Sequence, residues 1–205
     1  MLISAAKVGW INAWICIGLI LLHQIANTVV LIKLNPQLLN KRGKLVQKNT
    51  KLFDKVFITF YIPISLIISI IAGLDAVRYE WSNMPFEIII FGVGIFILAC
   101  ILGSWAMVVN PHFERTVLIN RDHKVCTSGP YKIVRHPGYT AEIIATPSYS
   151  LILGSWWGLV PVGALVILFI NRTALEDHTL QKELPGYKEY TKITRYRLIP
   201  FVWQP

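Results

Sequence analysis

The chain has 205 residues, of which 54% are hydrophobic and 15% charged, against about 25% charged in an ordinary soluble domain. This balance excludes a typical soluble protein, and the formal net charge of +9 does not point to nucleic acid, because the basic residues stand between long uncharged runs, where anionic lipid headgroups meet them. Three cysteines (Cys16, Cys100 and Cys126) form no CxxC pair and the five histidines show no ligand spacing, so neither a disulfide framework nor a metal site is expected.

The pattern predicts an all-α integral membrane protein with a single membrane domain over 1–205 and about five transmembrane helices. A helix needs about 20 apolar residues to cross the hydrocarbon core. Residues 8–32 are uncharged for 25 positions, too long for a signal-peptide core, so they are expected to remain as a span. His23, Gln24 and Asn27 lie in its second half; interhelical hydrogen bonding is the plain reading, substrate contact the alternative. A basic loop over 33–52 follows, with Lys33, Lys41, Arg42, Lys44, Lys48 and Lys51. Asn35-Pro36 ends the first span, since proline cannot continue the hydrogen-bond ladder, and a short surface helix is predicted from Pro36. The second span is placed at 56–74, with a kink at Pro63, and the third at 88–109. Residues 110–138 are polar and basic. From Ile143 to Asn171 there are 29 uncharged residues, long for one span and short for two. Gly154-Ser155 divides them, which predicts a hairpin of two short helices, 139–153 and 157–172. The tail 173–205 is polar and amphipathic, with Tyr187, Tyr190 and Trp203 as interface candidates.

With five spans, the basic segments 33–52, 110–138 and 172–205 fall on one side. The positive-inside rule then puts the N-terminus outside and the C-terminus in the cytoplasm, and 110–138 and 173–205 become cytoplasmic segments.

Two polar clusters carry the chemistry. In Arg135-His136-Pro137-Gly138-Tyr139, a proline before an apolar run marks a helix start, where its missing N–H costs nothing. The exposed N–H groups of that helix end attract anions, and Arg135 adds a full charge. In Arg172-Thr173-Ala174-Leu175-Glu176-Asp177-His178, Arg172 and Glu176 share a helix face. Each cluster alone reads as a cap or ion pair at the membrane boundary. A carboxylate such as Glu176 is costly there unless it is used, and it suits a ribose hydroxyl or an ammonium. The hairpin brings its two ends side by side, so the clusters are expected to meet. Together they suit a charged, nucleoside-like zwitterion.

The residues His123-Lys124-Val125-Cys126-Thr127-Ser128-Gly129-Pro130-Tyr131, Arg135 to Tyr139, Arg172-Thr173 and Glu176-Asp177 resemble the isoprenylcysteine carboxyl methyltransferase family, which is related to membrane phospholipid methyltransferases. Gly186-Tyr187-Lys188-Glu189-Tyr190 and Arg197-Leu198-Ile199-Pro200 are similar to its C-terminal pattern. The resemblance implies S-adenosylmethionine as methyl donor in a cytoplasm-facing pocket formed by the C-terminal half. It implies that His123, Lys124, Val125, Cys126, Tyr131, His136, Pro137, Gly138 and Tyr139 line that pocket and that Glu176 holds the cofactor. Arg172 would meet the substrate, and Arg172, Glu176 and His136 are the catalytic candidates. Asp177 stands where the family has glutamate, and Lys124 and Cys126 are further departures.

Methyl transfer is an in-line displacement whose acceleration comes mostly from alignment. A carboxylate acceptor is already a nucleophile that Arg172 can orient; an amine needs a proton removed, by Glu176 or His136. The expected function is carboxyl O-methylation of an isoprenylcysteine-like or lipid carboxylate. The partners are this lipophilic acceptor and membrane lipids, with no nucleic acid and no metal. The rivals are an N-methyltransferase of phospholipid or other amines and a non-enzymatic transporter or assembly protein.

Overall fold

The computed structural model describes residues 1–36, 38, 50–119 and 123–203. Lys41, Arg42, Lys44, Lys48 and Arg121, with most of the surface helix expected from Pro36, lie outside the described residues. Every regular element among the described residues is helical. In chain order these are α1 (Leu2–Ala5), α2 (Ile11–Leu34), α3 (Leu52–Gly73), α4 (Phe86–Val109), α5 (Pro137–Leu153), α6 (Leu159–Glu183) and α7 (Tyr187–Ile193). A π-turn, Leu74–Arg78, prolongs α3, and a 3₁₀ turn, Gly129–Lys132, precedes α5.

Among the described residues, four helices are long and apolar enough to cross a membrane: Ile11–Leu34, Leu52–Arg78, Phe86–Val109 and Leu159–Glu183. Their outward faces carry exposed Leu21, Leu22, Phe60, Leu66, Leu98 and Ile167, which only lipid leaves uncostly over so large an area. The chain is a multi-pass membrane protein.

The fifth helix differs from the other four. α5 has 17 residues and buries more than half of them, among them Ala141, Ala145, Ser148 and Leu151. It packs mainly on α4, with α2, α3 and α6 also against it. Its sequence explains this placement: small and hydroxylated residues permit close approach, and Gly92 of α4 passes so near Leu151 that an added Cβ would stand 2.8 Å from the leucine Cβ. Pro137 is its first residue and Gly154, at φ 78°, closes it. That left-handed conformation favours glycine.

The hairpin therefore exists, but its arms are unequal. The second arm was expected over 157–172 and instead runs through Glu183. The reason lies in its buried face. Arg172, Thr173, Asp177 and Leu180 recur at helical spacing and are covered by protein, so the helix continues past the last apolar run. α3 runs through Pro63 as one helix.

The chain's two ends of packing are distinct. At one end, buried Asp75 Oδ2 accepts from Ser82 Oγ (2.6 Å), Ser155 Oγ (2.5 Å) and Trp157 N (3.2 Å), which ties the α3–α4 loop to the hairpin turn. At the other end, segments 110–119, 123–136 and 184–203 fold over the termini of α5 and α6, and the candidate site lies there.

Candidate functional site

Asp177 organises the polar end. It is completely buried, and a buried carboxylate is tolerable only when fully paired. Arg135 grips it in bidentate fashion, Nε to Oδ1 at 2.8 Å and Nη2 to Oδ2 at 3.1 Å. Gln181 and Arg197 donate to Oδ2 (2.8 and 3.1 Å), and Tyr187 Oη to Oδ1 at 3.0 Å. His136 Nε2 lies 3.2 Å from Oδ1. Arg135 Nη1 also donates to the carbonyls of Thr194 and Arg195, and the backbone N–H groups of Arg135 and His136 donate to Tyr196 and Arg197. One carboxylate thus joins the start of α5, the middle of α6 and the C-terminal tail. Burial also raises the Tyr187 phenol well above its ordinary range, so it stays a proton donor to Asp177.

This corrects one expectation. Arg135 does not lend its charge to a ligand at the α5 N-terminus. It is 2% exposed and saturated by Asp177 and backbone carbonyls. Asp177 belongs to the same scaffold, and His178 points outward as an exposed residue.

Glu176, one residue earlier, faces the other way. Its carboxylate accepts from Tyr139 Oη and stands 3.8 Å from His136 Nδ1. The His136 and Tyr139 rings stack at 5.9 Å. Arg172 lies one turn away on the same face of α6, 6% exposed. Its guanidinium sits over Phe57 (4.2 Å) and Tyr139 (5.3 Å), donates to the Arg115 carbonyl and stands 2.7 Å from Asp54 Oδ1. Among the described residues, that ion pair lacks an aligned hydrogen bond at Oδ1, and Arg172 Nε has no hydrogen-bond partner. Asp54 Oδ2 accepts from Val117 N at 2.8 Å.

These groups open on one cavity of about 570 Å³. At its polar end the wall includes His123, Lys124, Val125, Cys126, Tyr131, His136, Gly138, Tyr139, Arg172 and Glu176. Pro137 is fully buried and not among the lining residues; its part is to start α5. Lys124 is exposed, and with His123 and Val125 it also borders a separate surface groove against Glu183, Gly186 and Glu189. Tyr131 Oη accepts from Asn110 Nδ2, and its phenol is raised by burial. The cavity continues between the spans to His23, Tyr61, Phe96, Cys100, Glu142 and Tyr149. Asn27 bridges α2 to α4 by accepting from Ser104 Oγ at 2.7 Å and contacts His23 Nε2 at 2.9 Å. Interhelical bonding and cavity lining are thus both roles of the polar face of α2.

Sequence reasoning missed Asp54, Phe57 and Glu142. A signal for the two acids was present: Asp54 stands in the first turn of α3 and Glu142 stands in α5 just before the apolar run from Ile143, and a carboxylate near a membrane segment is a costly placement that marks use.

Comparison with curated proteins returns no match. Residues 92–182, which carry α5, the stretch from His123 to Tyr139 and Arg172 to Glu176, match the model of the Isoprenylcysteine carboxyl methyltransferase (ICMT) family, and that segment supports an isoprenylcysteine carboxyl methyltransferase-like family.

Proposed function

We propose that the protein is a membrane methyltransferase that uses S-adenosylmethionine to methylate a lipophilic acceptor, by carboxyl O-methylation of an isoprenylcysteine-like or lipid carboxylate. The observation that carries this reading is the single cavity that joins a polar end, with Glu176 and Arg172, to a section between membrane helices. A water-soluble donor and a lipid-soluble acceptor need such a meeting place.

The residues fit the donor. Glu176 is a carboxylate in reach of hydroxyl or ammonium groups. The stacked His136 and Tyr139 rings offer faces for a flat base or a cation, and the volume is that of an ordinary small-molecule site. Bound S-adenosylmethionine supplies a methyl carbon made electrophilic by a positively charged sulfur. The chain supplies the rest. Arg172, fixed between Phe57, Tyr139 and Asp54, orients the acceptor oxygen. The covering segments 110–119, 123–136 and 184–203 exclude water, which keeps a carboxylate reactive. No proton has to move, so Glu176 and His136 serve binding and shape. A second reading, methylation of an amine, is favoured by one observation: Glu142 places a carboxylate in the membrane part of the cavity wall. We place the polar end in the cytoplasm on the basic residues of its segments.

The test is calorimetry in detergent. S-adenosylhomocysteine is expected to bind, and Glu176→Gln to weaken it by about tenfold, the loss of one charge-assisted hydrogen bond. Absence of binding to the parent chain at millimolar ligand sinks the reading.

A further inference from the structure

Asp54 stands outside the segment matched to the family, yet it is the partner of Arg172. Both are buried, 0% and 6% exposed, and the 2.7 Å contact cancels the arginine charge. Asp54 costs the protein a buried carboxylate, and its other oxygen already secures Val117 N. If Arg172 served only to attract an acceptor carboxylate, neutralising it would be a disadvantage.

The electrostatics of the reaction give neutralisation a use. In carboxyl methylation an oxygen lone pair of the acceptor forms the new O–C bond. The electron pair of the breaking C–S bond stays on sulfur, and no proton moves. One negative and one positive charge are consumed, so the transition state is less charged than the bound reactants. A bare guanidinium against the acceptor carboxylate stabilises the reactant more than the transition state. That lowers the Michaelis constant and lowers turnover with it. A guanidinium balanced by a fixed carboxylate keeps its geometry and hydrogen-bond donors while contributing little net charge.

We propose that Asp54 is a positioning residue that tempers Arg172: it holds the guanidinium in place and keeps it from binding an oxyanion acceptor too tightly to react. The inference rests on the methyltransferase reading above and deepens it, because it names an acceptor carboxylate as the group that meets Arg172. The aromatic faces of Phe57 and Tyr139 on Arg172 support it. They fix the guanidinium plane, so Asp54 need not orient it alone and its charge is the term left to explain.

The experiment measures binding without turnover, alongside rates. Farnesylthioacetate and farnesylamine are titrated into the parent chain and into Asp54→Asn and Asp54→Glu, with S-adenosylhomocysteine present, by calorimetry in detergent. The parent should prefer the carboxylate. Asp54→Asn should bind the carboxylate about tenfold tighter, close to 1.4 kcal/mol, and the amine more weakly. Its kcat for carboxyl methylation should fall while KM also falls. Asp54→Glu should bring both affinities back toward those of the parent. A merely structural Asp54 would weaken both probes together and raise KM, and that result overturns the proposal. So does a parent chain with no preference between the probes or no affinity for either. If Asp54→Asn does not fold, Arg172→Gln reads the same balance from the other side. The carboxylate must then weaken and the amine strengthen, and equal loss of both is again fatal. Failure of the underlying reading shows separately, as no binding of S-adenosylhomocysteine to the parent.

Discussion

Two neighbouring carboxylates, Glu176 and Asp177, illustrate how far residue type alone can mislead. They are adjacent in sequence, but helical rotation turns them to opposite duties. Glu176 lines the cavity; Asp177 is buried under Arg135, His136, Gln181, Tyr187 and Arg197. The consequence is a separation of phenotypes. Asp177→Asn leaves the buried Arg135 charge uncompensated and should cost about 3 kcal/mol or more, read as a clear fall in Tm in detergent. Glu176→Gln should leave Tm nearly unchanged and weaken S-adenosylhomocysteine instead. Equal Tm losses in both would contradict this division. The sequence made Glu176 legible through its spacing from Arg172. It could not distinguish Arg135 as scaffold from Arg135 as ligand, because Arg135 and Asp177 stand 42 positions apart in the chain. Asp54 was hidden for the same reason, since Arg172 lies 118 positions away.

At the level of elements, α5 is where hydropathy gives out. The apolar run from Ile143 was readable as a hairpin, and Gly154 as its turn. That α5 would be sheathed by other helices while α6 continues to Glu183 depends on which faces are covered, and periodicity in a uniformly apolar stretch does not encode this. The small residues facing α4 are the physical cause. Gly92 meets the Cβ of Leu151 and the backbone of Ile152, and backbone cannot give way as a flexible side chain does. Gly92→Ala is therefore expected to push α4 from α5 and to cost about 1–3 kcal/mol, measured by thermal unfolding in detergent. Gly94→Ala is its control, because a Cβ there meets nothing within 4 Å. A Tm loss as large at Gly94 as at Gly92 would show that the close approach is not what matters.

For the whole molecule, the helices set the sidedness of everything else. Among the described residues α2, α3, α4 and α6 are long and apolar enough to cross a membrane, and α5 returns the chain to the turn at Gly154 between α4 and α6. The Asp75 clip and the polar site must then lie at opposite ends. The uncharged runs made the four long apolar helices legible at once. We propose their orientation from charge: the segments at the site end carry most of the basic residues, and the positive-inside rule favours the cytoplasm for such segments. The expectation is direct. Trp81, 62% exposed, lies at the Asp75 end, and Lys188, also exposed, lies beside the site. Trp81→Cys and Lys188→Cys are made in a background without Cys16, Cys100 and Cys126, and sealed right-side-out vesicles are treated with an impermeant maleimide. Position 81 should react at once and position 188 only after the bilayer is opened. Reaction at 188 in sealed vesicles would invert the topology. Reaction at both would break the alternation of spans, and the hairpin could no longer bring His136 and Glu176 to the same side.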